Sequence, residues 1–509
     1  MEMLQQLGEG MAFVMTWPYL GWVIVGTVVA LFFGTLPGLN GVMATALIIP
    51  FTFGLPKEAA IVLLTATVAG GTFGGAITAI LINTPGDAVN AATTYDGFPL
   101  AKQGKAGVAI GAACTASALG SLFGLFVLIL VIPFARVLIL SLSYPELFLI
   151  TMIGLIVVAI VSRGNMLKGL IIGFVGLLLS FVGLDPFNGA ERFTGGSLHL
   201  MDGIGLIPVT VGIFALAEAV KMFLKGGTVS EKPISLGKEV WGQVLQGSLA
   251  VFKHFGVFIR GSMIGTVIGS IPGLGGTIAN FLAYSQAVQT AKDKSMFGKG
   301  DIRGVIASES SNDAKDGGSL IPTLAFGIPG SASMAVLLGA LIFHGVAPGR
   351  SLLTDNIHMV YIIICSAIAA SILTSIIGIM FVKSAVWLTL IDVRIMVPII
   401  VILSLIGTYS LKESVGDVIV AVVFGIIGIL LAFAGYPVQP LVIGLILGSL
   451  LEVYLYNIVE FQGIGIFFTR PISIGLLLFL LITIFFVIRG EWKSKQEGKN
   501  NRYTNMMKG

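Results

Sequence analysis

Residues 34–41 read Gly34-Thr35-Leu36-Pro37-Gly38-Leu39-Asn40-Gly41, and residues 269–276 read Gly269-Ser270-Ile271-Pro272-Gly273-Leu274-Gly275-Gly276. Five of the eight positions are identical, and two others exchange Thr for Ser and Leu for Ile. A second pair follows each. Asn83-Thr84-Pro85-Gly86-Asp87-Ala88 is answered by Gly327-Ile328-Pro329-Gly330-Ser331-Ala332. The offsets are 235 and 244 residues, so two matched motifs recur in the same order in two halves of one chain.

Each Pro-Gly is a helix break set in apolar sequence. Pro removes a backbone N–H and clashes with the preceding turn, and Gly admits dihedrals that other residues avoid. In a bilayer the freed N–H and C=O groups each cost several kcal/mol if unpaired, so such breaks persist only inside protein or along a wet cavity. N–H groups at a helix start attract anions, and freed carbonyls attract Na⁺. A Pro kink with packing glycines is the plainer reading of any single break. Four in matched pairs favour a binding centre.

Composition sets the medium. Of 509 residues, 56% are hydrophobic and 11% charged, against about 25% charged in soluble proteins. Mean hydropathy is +1.00. A water-soluble enzyme of this size is excluded, and an all-α, polytopic transmembrane protein is expected. The 67 glycines are roughly twice the ordinary share of ~7%, which points to close helix packing and broken helices. The net charge of +4 gives no footing for a nucleic-acid partner; membrane lipid is the surrounding medium.

Apolar stretches recur at 17–33, 58–82, 107–135, 145–162, 166–183, 203–224, 255–271, 304–346 (broken), 357–382, 395–411, 413–433, 441–459 and 471–489. Segments 41–54 and 276–290 follow Pro-Gly breaks and are short for spanning, so they read as arms of re-entrant hairpins. Lys and Arg in short loops set orientation. The tail 490–509, the loops at Arg163–Lys168 and Lys292–Arg303, and the linker 225–254 (Lys225, Lys232, Lys238, Lys253) carry the basic residues and read as cytoplasmic. Residues 1–16 have Glu2 and Glu9 but no Lys or Arg, so they lack a signal peptide's basic start and should face out. The expected organisation is a first transmembrane half (1–224), a linker (225–254), a second half (255–489) and a tail. Pro37 is then entered from outside and Pro272 from inside, which makes the halves inverted-topology repeats, an architecture of secondary transporters.

The candidate substrate- or ion-binding residues cluster at the breaks. They are Pro37, Gly38, Asn40 and Gly41; Asn83, Thr84, Pro85 and Gly86; Pro272, Gly273, Thr277 and Asn280; and Pro329, Gly330, Ser331 and Ser333. Helix capping is the alternative for the Asn, Ser and Thr side chains. Residues 308–318, Ser-Glu-Ser-Ser-Asn-Asp-Ala-Lys-Asp-Gly-Gly, add Glu309, Asn312 and Asp313, either at membrane depth or in the basic loop before them. Their counterpart, Ala-Gly-Gly-Thr-Phe-Gly-Gly at 69–75, is uncharged. Lys and Arg otherwise gather at segment ends, so a bound anion would need helix N-termini, hydroxyls, amides and a coupling cation. Asp96, in Tyr95-Asp96-Gly97-Phe98-Pro99, reads as a structural turn residue.

Other chemistries find little support. No catalytic residue, firm metal site or cofactor is expected beyond Na⁺ or H⁺ as coupling ion, with backbone carbonyls of the breaks as the place for Na⁺. Cys114 and Cys365 lie in apolar segments, and His344 and His358 lack metal-ligand spacing. No Gly-x-Ser-x-Gly frames Ser331 or Ser333 with His344, the second motif of an intramembrane aspartyl protease is missing, and there is no P-loop.

At Gly34–Gly41, Asn83–Gly86 with Tyr95–Pro99 and Lys102-Gln103-Gly104, Gly269–Gly276 and Glu309–Gly330, the chain resembles the large membrane subunit (TctA type) of the tripartite tricarboxylate transporters, over roughly residues 20–490. The resemblance implies a symporter of the bacterial inner membrane that imports organic carboxylates on a cation gradient. It implies a small four-helix membrane subunit and a periplasmic binding protein as partners, and an elevator-like arrangement with the Pro-Gly tips as binding elements. Where the family pattern has Glu-x-Ala-Asn-Asn-Ala, this chain has Glu309-Ser310-Ser311-Asn312-Asp313-Ala314 followed by Lys315, and an Asp313–Lys315 pair would alter ion or substrate preference. Di- and tricarboxylates are therefore both expected substrates. The alternative is an inverted-repeat transporter of a non-carboxylate.

Overall fold

A computed structural model describes residues 2–36, 39–161, 166–225, 240–388 and 393–485. The first half contains α1 (Glu2–Met15), α2 (Tyr19–Gly34), α3 (Gly41–Ile48), α4 (Lys57–Ile82), α5 (Thr94–Lys102), α6 (Ala106–Ser141), α7 (Tyr144–Val161) and α8 (Met166–Leu179). It closes with the short α9 (Leu198–Met201), α10 (Leu206–Thr210) and α11 (Ala217–Lys225). The second half contains α12 (Val240–Lys253), α13 (Phe255–Gly269), α14 (Gly275–Thr290), α15 (Ile302–Phe326), α16 (Ala332–Phe343), α17 (Arg350–Thr354) and α18 (Ile357–Leu388). α19 (Val393–Ser410), α20 (Val415–Phe433), α21 (Gln439–Asn457) and α22 (Pro471–Phe485) complete it. A two-residue β-ribbon, Gly183–Leu184 with Glu191–Arg192, is the only sheet among the described residues.

Seven helices are long and apolar enough to cross a membrane, and up to nine spans result if two bent pairs each count once. Fewer spans emerge than the apolar stretches in the sequence. α3, α7, α8, α16 and α22 are apolar but short, and α15 carries too many charges. The two bent pairs are α1–α2, at 76°, and α12–α13, at 78°. α12 falls within the stretch expected to be linker. It buries Val240, Val244, Gly247 and Val251, one stripe of an amphipathic helix, against α6. Residues 226–239 of that linker and the tail 486–509 lie outside the described residues.

Glycines set how closely the helices approach. A methyl group on Gly26 or Gly34 of α2 would strike the Leu63 or Gly71 carbonyl of α4. At the matched positions of the second half, one on Gly261 or Gly269 of α13 would meet the Ala307 or Lys315 carbonyl of α15. Gly120 and Gly124 of α6 press on α15 from another side. With lipid outside as apolar as the interior, such close backbone packing is what holds transmembrane helices together. The halves interlock: α6 packs on α15 and α12, α18 on α4 and α1, α8 on α21, and α20 on the π-helical turn Val211–Leu216.

Candidate functional site

The three breaks that the structure describes lie between helical elements. Pro37 and Gly38 fall outside the described residues. Asn40 caps α3, its side chain accepting from Met43 N–H at 3.0 Å, and Gly41 opens that helix against Gly71. Asn83 ends α4 in the left-handed region at φ 55°, and Gly327 ends α15 at φ 67°. Thr84 is exposed and Pro85 half-buried. Gly86 donates its N–H to Gly75 O at 3.3 Å and faces the Gly34 carbonyl so closely that a Cβ has no room.

The second half repeats this arrangement. Gly273, at φ +83°, donates its N–H to Gly330 O at 3.3 Å, which joins its two breaks, and Pro272 beside it is half-buried. A Cβ on Gly330 would lie 2.7 Å from Ser319 Cα and 2.9 Å from Gly269 O. Gly75 and Gly34 hold the matched positions in the first half. Pro329 is buried, Ser331 caps α16 by accepting from Met334 N–H at 3.3 Å, and Ser333 and Thr277 sit in the first turns of α16 and α14. Asn40 and Ser331 therefore act as caps.

α15 packs against α13 and α14 of its own half and against α6 and the 88–93 segment of the first half. The polar run 308–318 is buried helix and not loop. Asn280 of α14 bonds at 2.9 Å to both Ser308 O and Ala92 N–H, tying α15 to the 3₁₀ segment Ala88–Thr93. Glu309 accepts from Thr93 Oγ1 and, at 3.4 Å, from Asn90 Nδ2. Asp313 accepts from Thr72 Oγ1 of α4 and Ser117 Oγ of α6. Lys315 pairs with Asp316 at 2.5 Å and not with Asp313, whose two oxygens are taken by hydroxyls. Its aliphatic stem crosses Gly276 at the start of α14.

Lys315 is the one buried basic side chain among the described residues, an exception to the gathering of Lys and Arg at segment ends. Asn90, Thr93, Thr72 and Ser117 were not singled out from sequence. Only Thr72 lay in a segment matched to the polar run. Asp96 is structural, as expected, though it lies in the first turn of α5 and not in a turn. It accepts N–H bonds from Gly298, Gly300 and Asp301 at 2.8–2.9 Å and an O–H bond from Tyr284. A separate cavity of about 200 Å³, lined by residues including Leu206, Gly339, Phe343 and Asp417, involves none of the predicted site residues. No group of three or more His, Cys, Asp or Glu suited to a metal occurs among the described residues.

The family whose model matches residues 20–443 is described as the tripartite tricarboxylate transporter TctA family. Two relatives come from Agrobacterium vitis. The "Uncharacterized 52.8 kDa protein in TAR-I ttuC' 3'region" is 32% identical over 500 residues, covering 98% of each chain. The "Uncharacterized protein in TAR-II ttuC' 3'region" is 34% identical over 235 residues, which is 46% of this chain and 97% of that relative. No solved structure matches.

Proposed function

The chain belongs to the tripartite tricarboxylate transporter TctA family, and on that footing we propose that it is the large transmembrane subunit of a cation-coupled symporter importing di- or tricarboxylates. It is a multi-pass membrane transporter subunit and not an enzyme. A periplasmic binding protein delivers the substrate, a small four-helix subunit completes the membrane assembly, and Na⁺ is the favoured coupling ion. The chain sits in a bacterial inner membrane with its N-terminus outside and its C-terminus in the cytoplasm, in keeping with the basic tail and loops. Two inverted repeats, 1–224 and 255–489, carry the paired breaks and work in an elevator-like manner.

The observation that carries the cation-coupled reading is the charge of α15. Its buried stretch holds three carboxylates, Glu309, Asp313 and Asp316, against one ammonium, Lys315. When all three are ionised, two negative charges have no protein counter-charge, and uncompensated buried charge is costly, so a cation or a proton has to accompany them. Cations that enter with the substrate supply what the chain lacks. The substrate's carboxylates then meet first-turn N–H groups of the helices that start at the breaks, α3, α14 and α16. The matched contacts of Gly34 with Gly86 and of Gly269 with Gly330 support the repeat.

The test is uptake of labelled di- and tricarboxylates into proteoliposomes holding this chain, the small subunit and the binding protein. Uptake should follow an imposed Na⁺ gradient. Uptake that persists after both the Na⁺ and proton gradients are collapsed rules the reading out.

A further inference from the structure

Three buried side chains around one carboxylate have polar atoms without a hydrogen-bond partner. Glu309 Oε1 accepts from Thr93 and Asn90, but Glu309 Oε2 has no partner. Asn312, one turn further along α15, sits within weak hydrogen-bonding reach of the Glu309 carboxylate, but neither atom of its amide has a well-formed bond. Asn90 Oδ1 is also unpaired and rests over Gly75 of α4. Glu309, Asn312 and Asn90 are all 0% exposed. Buried polar atoms are nearly always paired, and each one left unpaired costs about 1–3 kcal/mol, more for a charged group. Three such side chains at one place indicate a partner that binds there.

The donor set names that partner's chemistry. It consists of a carboxylate oxygen, amide oxygens and the Thr93 hydroxyl, with no imidazole or thiolate. Oxygen donors of this kind suit hard cations. An anion is repelled by Glu309. A proton on Oε2, donated to Asn312 Oδ1, is the rival occupant, and it differs from a metal ion in answering to pH and not to NaCl. One carboxylate with neutral oxygens balances a single positive charge. Turning the Asn90 amide over exchanges its nitrogen for its oxygen on the Glu309 side, and the 3.4 Å bond lost is a long one.

We propose that Glu309 and Asn312 of α15, with Asn90 and Thr93 of the 88–93 segment, form a Na⁺ site at the seam between the two halves. This deepens the proposed function and rests on its cation-coupled reading, but it places the ion on side chains and not on carbonyls of the breaks. Because the donors come from both halves, an occupied site fastens the 88–93 segment to α15.

The experiment is thermal unfolding of the purified full-length protein as NaCl replaces choline chloride at constant ionic strength, with no carboxylate present. The wild-type Tm should rise saturably with Na⁺, as binding to the folded state requires, and KCl should not reproduce the rise. Glu309→Gln and Asn312→Ala should need at least about tenfold more NaCl for the same rise, while eluting as monodisperse protein. Asp202→Asn, at the exposed Lys412 pair, should respond like wild type. The proposal is overturned by a wild type indifferent to Na⁺, by a full response in Glu309→Gln, or by a response to pH alone. Failure of carboxylate uptake would leave these results standing, so the two readings fall separately.

Discussion

α4 and α15 share one backbone plan. They are 26 and 25 residues long, and each ends on a left-handed residue two positions before a Pro-Gly pair. Each takes close backbone contacts from the helix before it at matched positions, Leu63 and Gly71 in one, Ala307 and Lys315 in the other. Their side chains diverge. Where α15 has Glu309, Asn312, Lys315 and Asp316, α4 has Thr65, Val68, Gly71 and Thr72. The backbone is used twice and the charge once. The first half instead lends donors, with Thr72 reaching Asp313 and Asn90 and Thr93 reaching Glu309. A repeated scaffold thus does not impose a repeated site.

The largest effects test what the helices share. Gly86→Val and Gly330→Val each drive a branched side chain into backbone, Gly75 Cα at 2.6 Å in one and Ser319 Cα at 2.7 Å in the other. Backbone at helix crossings cannot step aside as a flexible side chain can. Each substitution should cost about 3 kcal/mol or more, seen as loss of monodisperse protein or a large fall in Tm. If one variant is tolerated and the other is not, the common plan fails.

The next effect tests what they do not share. Glu309→Gln should cut uptake by about tenfold or more, equivalent to ~1.4 kcal/mol or above. Thr65→Val, at the matched position of α4, should change it by less than about twofold. The Thr65 hydroxyl is buried without a partner, so its loss removes an unpaired group and no bond. Equal losses in the two variants would mean that α4 carries chemistry as well.

The loan of hydroxyls has a smaller cost. Thr72→Val and Ser117→Ala each remove one donor from Asp313 and should lower stability by about 1–3 kcal/mol, read from denaturation of the purified protein. Because both donors serve one carboxylate, their effects should not add, and in an Asp313→Asn background each should shrink. Full additivity would show that the two hydroxyls act independently of Asp313.

What the sequence made legible follows the same division. The breaks were readable because Pro and Gly act locally, and the buried α15 was one of two readings of a polar run. Asn90 and Thr93 were not readable: in Ala88-Val89-Asn90-Ala91-Ala92-Thr93 they look like turn residues. They gain meaning only from Glu309, more than 200 residues away, when α14 and α15 close on them. α1 and α12 escaped notice because each is a short helix lying bent against a span. Lys315 was visible in the sequence but its burial was not, because the run could as well have continued the basic loop before it. Its choice of Asp316 over Asp313 depends on Thr72 and Ser117 having taken the Asp313 oxygens, which is a tertiary fact.

The smallest effects separate capping from binding at the two helix starts the breaks create. Asn40→Ala and Ser331→Ala each lose a cap and should cost about 1 kcal/mol, with Ser331 the lesser because its bond is longer. Asn40→Asp is more informative. Aspartate caps as well as asparagine and favours the positive end of the helix, so stability should hold. A fixed negative charge there competes with an arriving carboxylate, so uptake should fall with the apparent KM raised. Ser331→Asp should behave alike at α16. A stable Asn40→Asp variant with unchanged KM would leave Asn40 a cap alone and remove the N-terminus of α3 from the substrate's path, while the corresponding result at Ser331 would do the same for α16. The two half-sites can thus be tested independently, and an asymmetric outcome would extend to the substrate the imbalance already visible between α4 and α15.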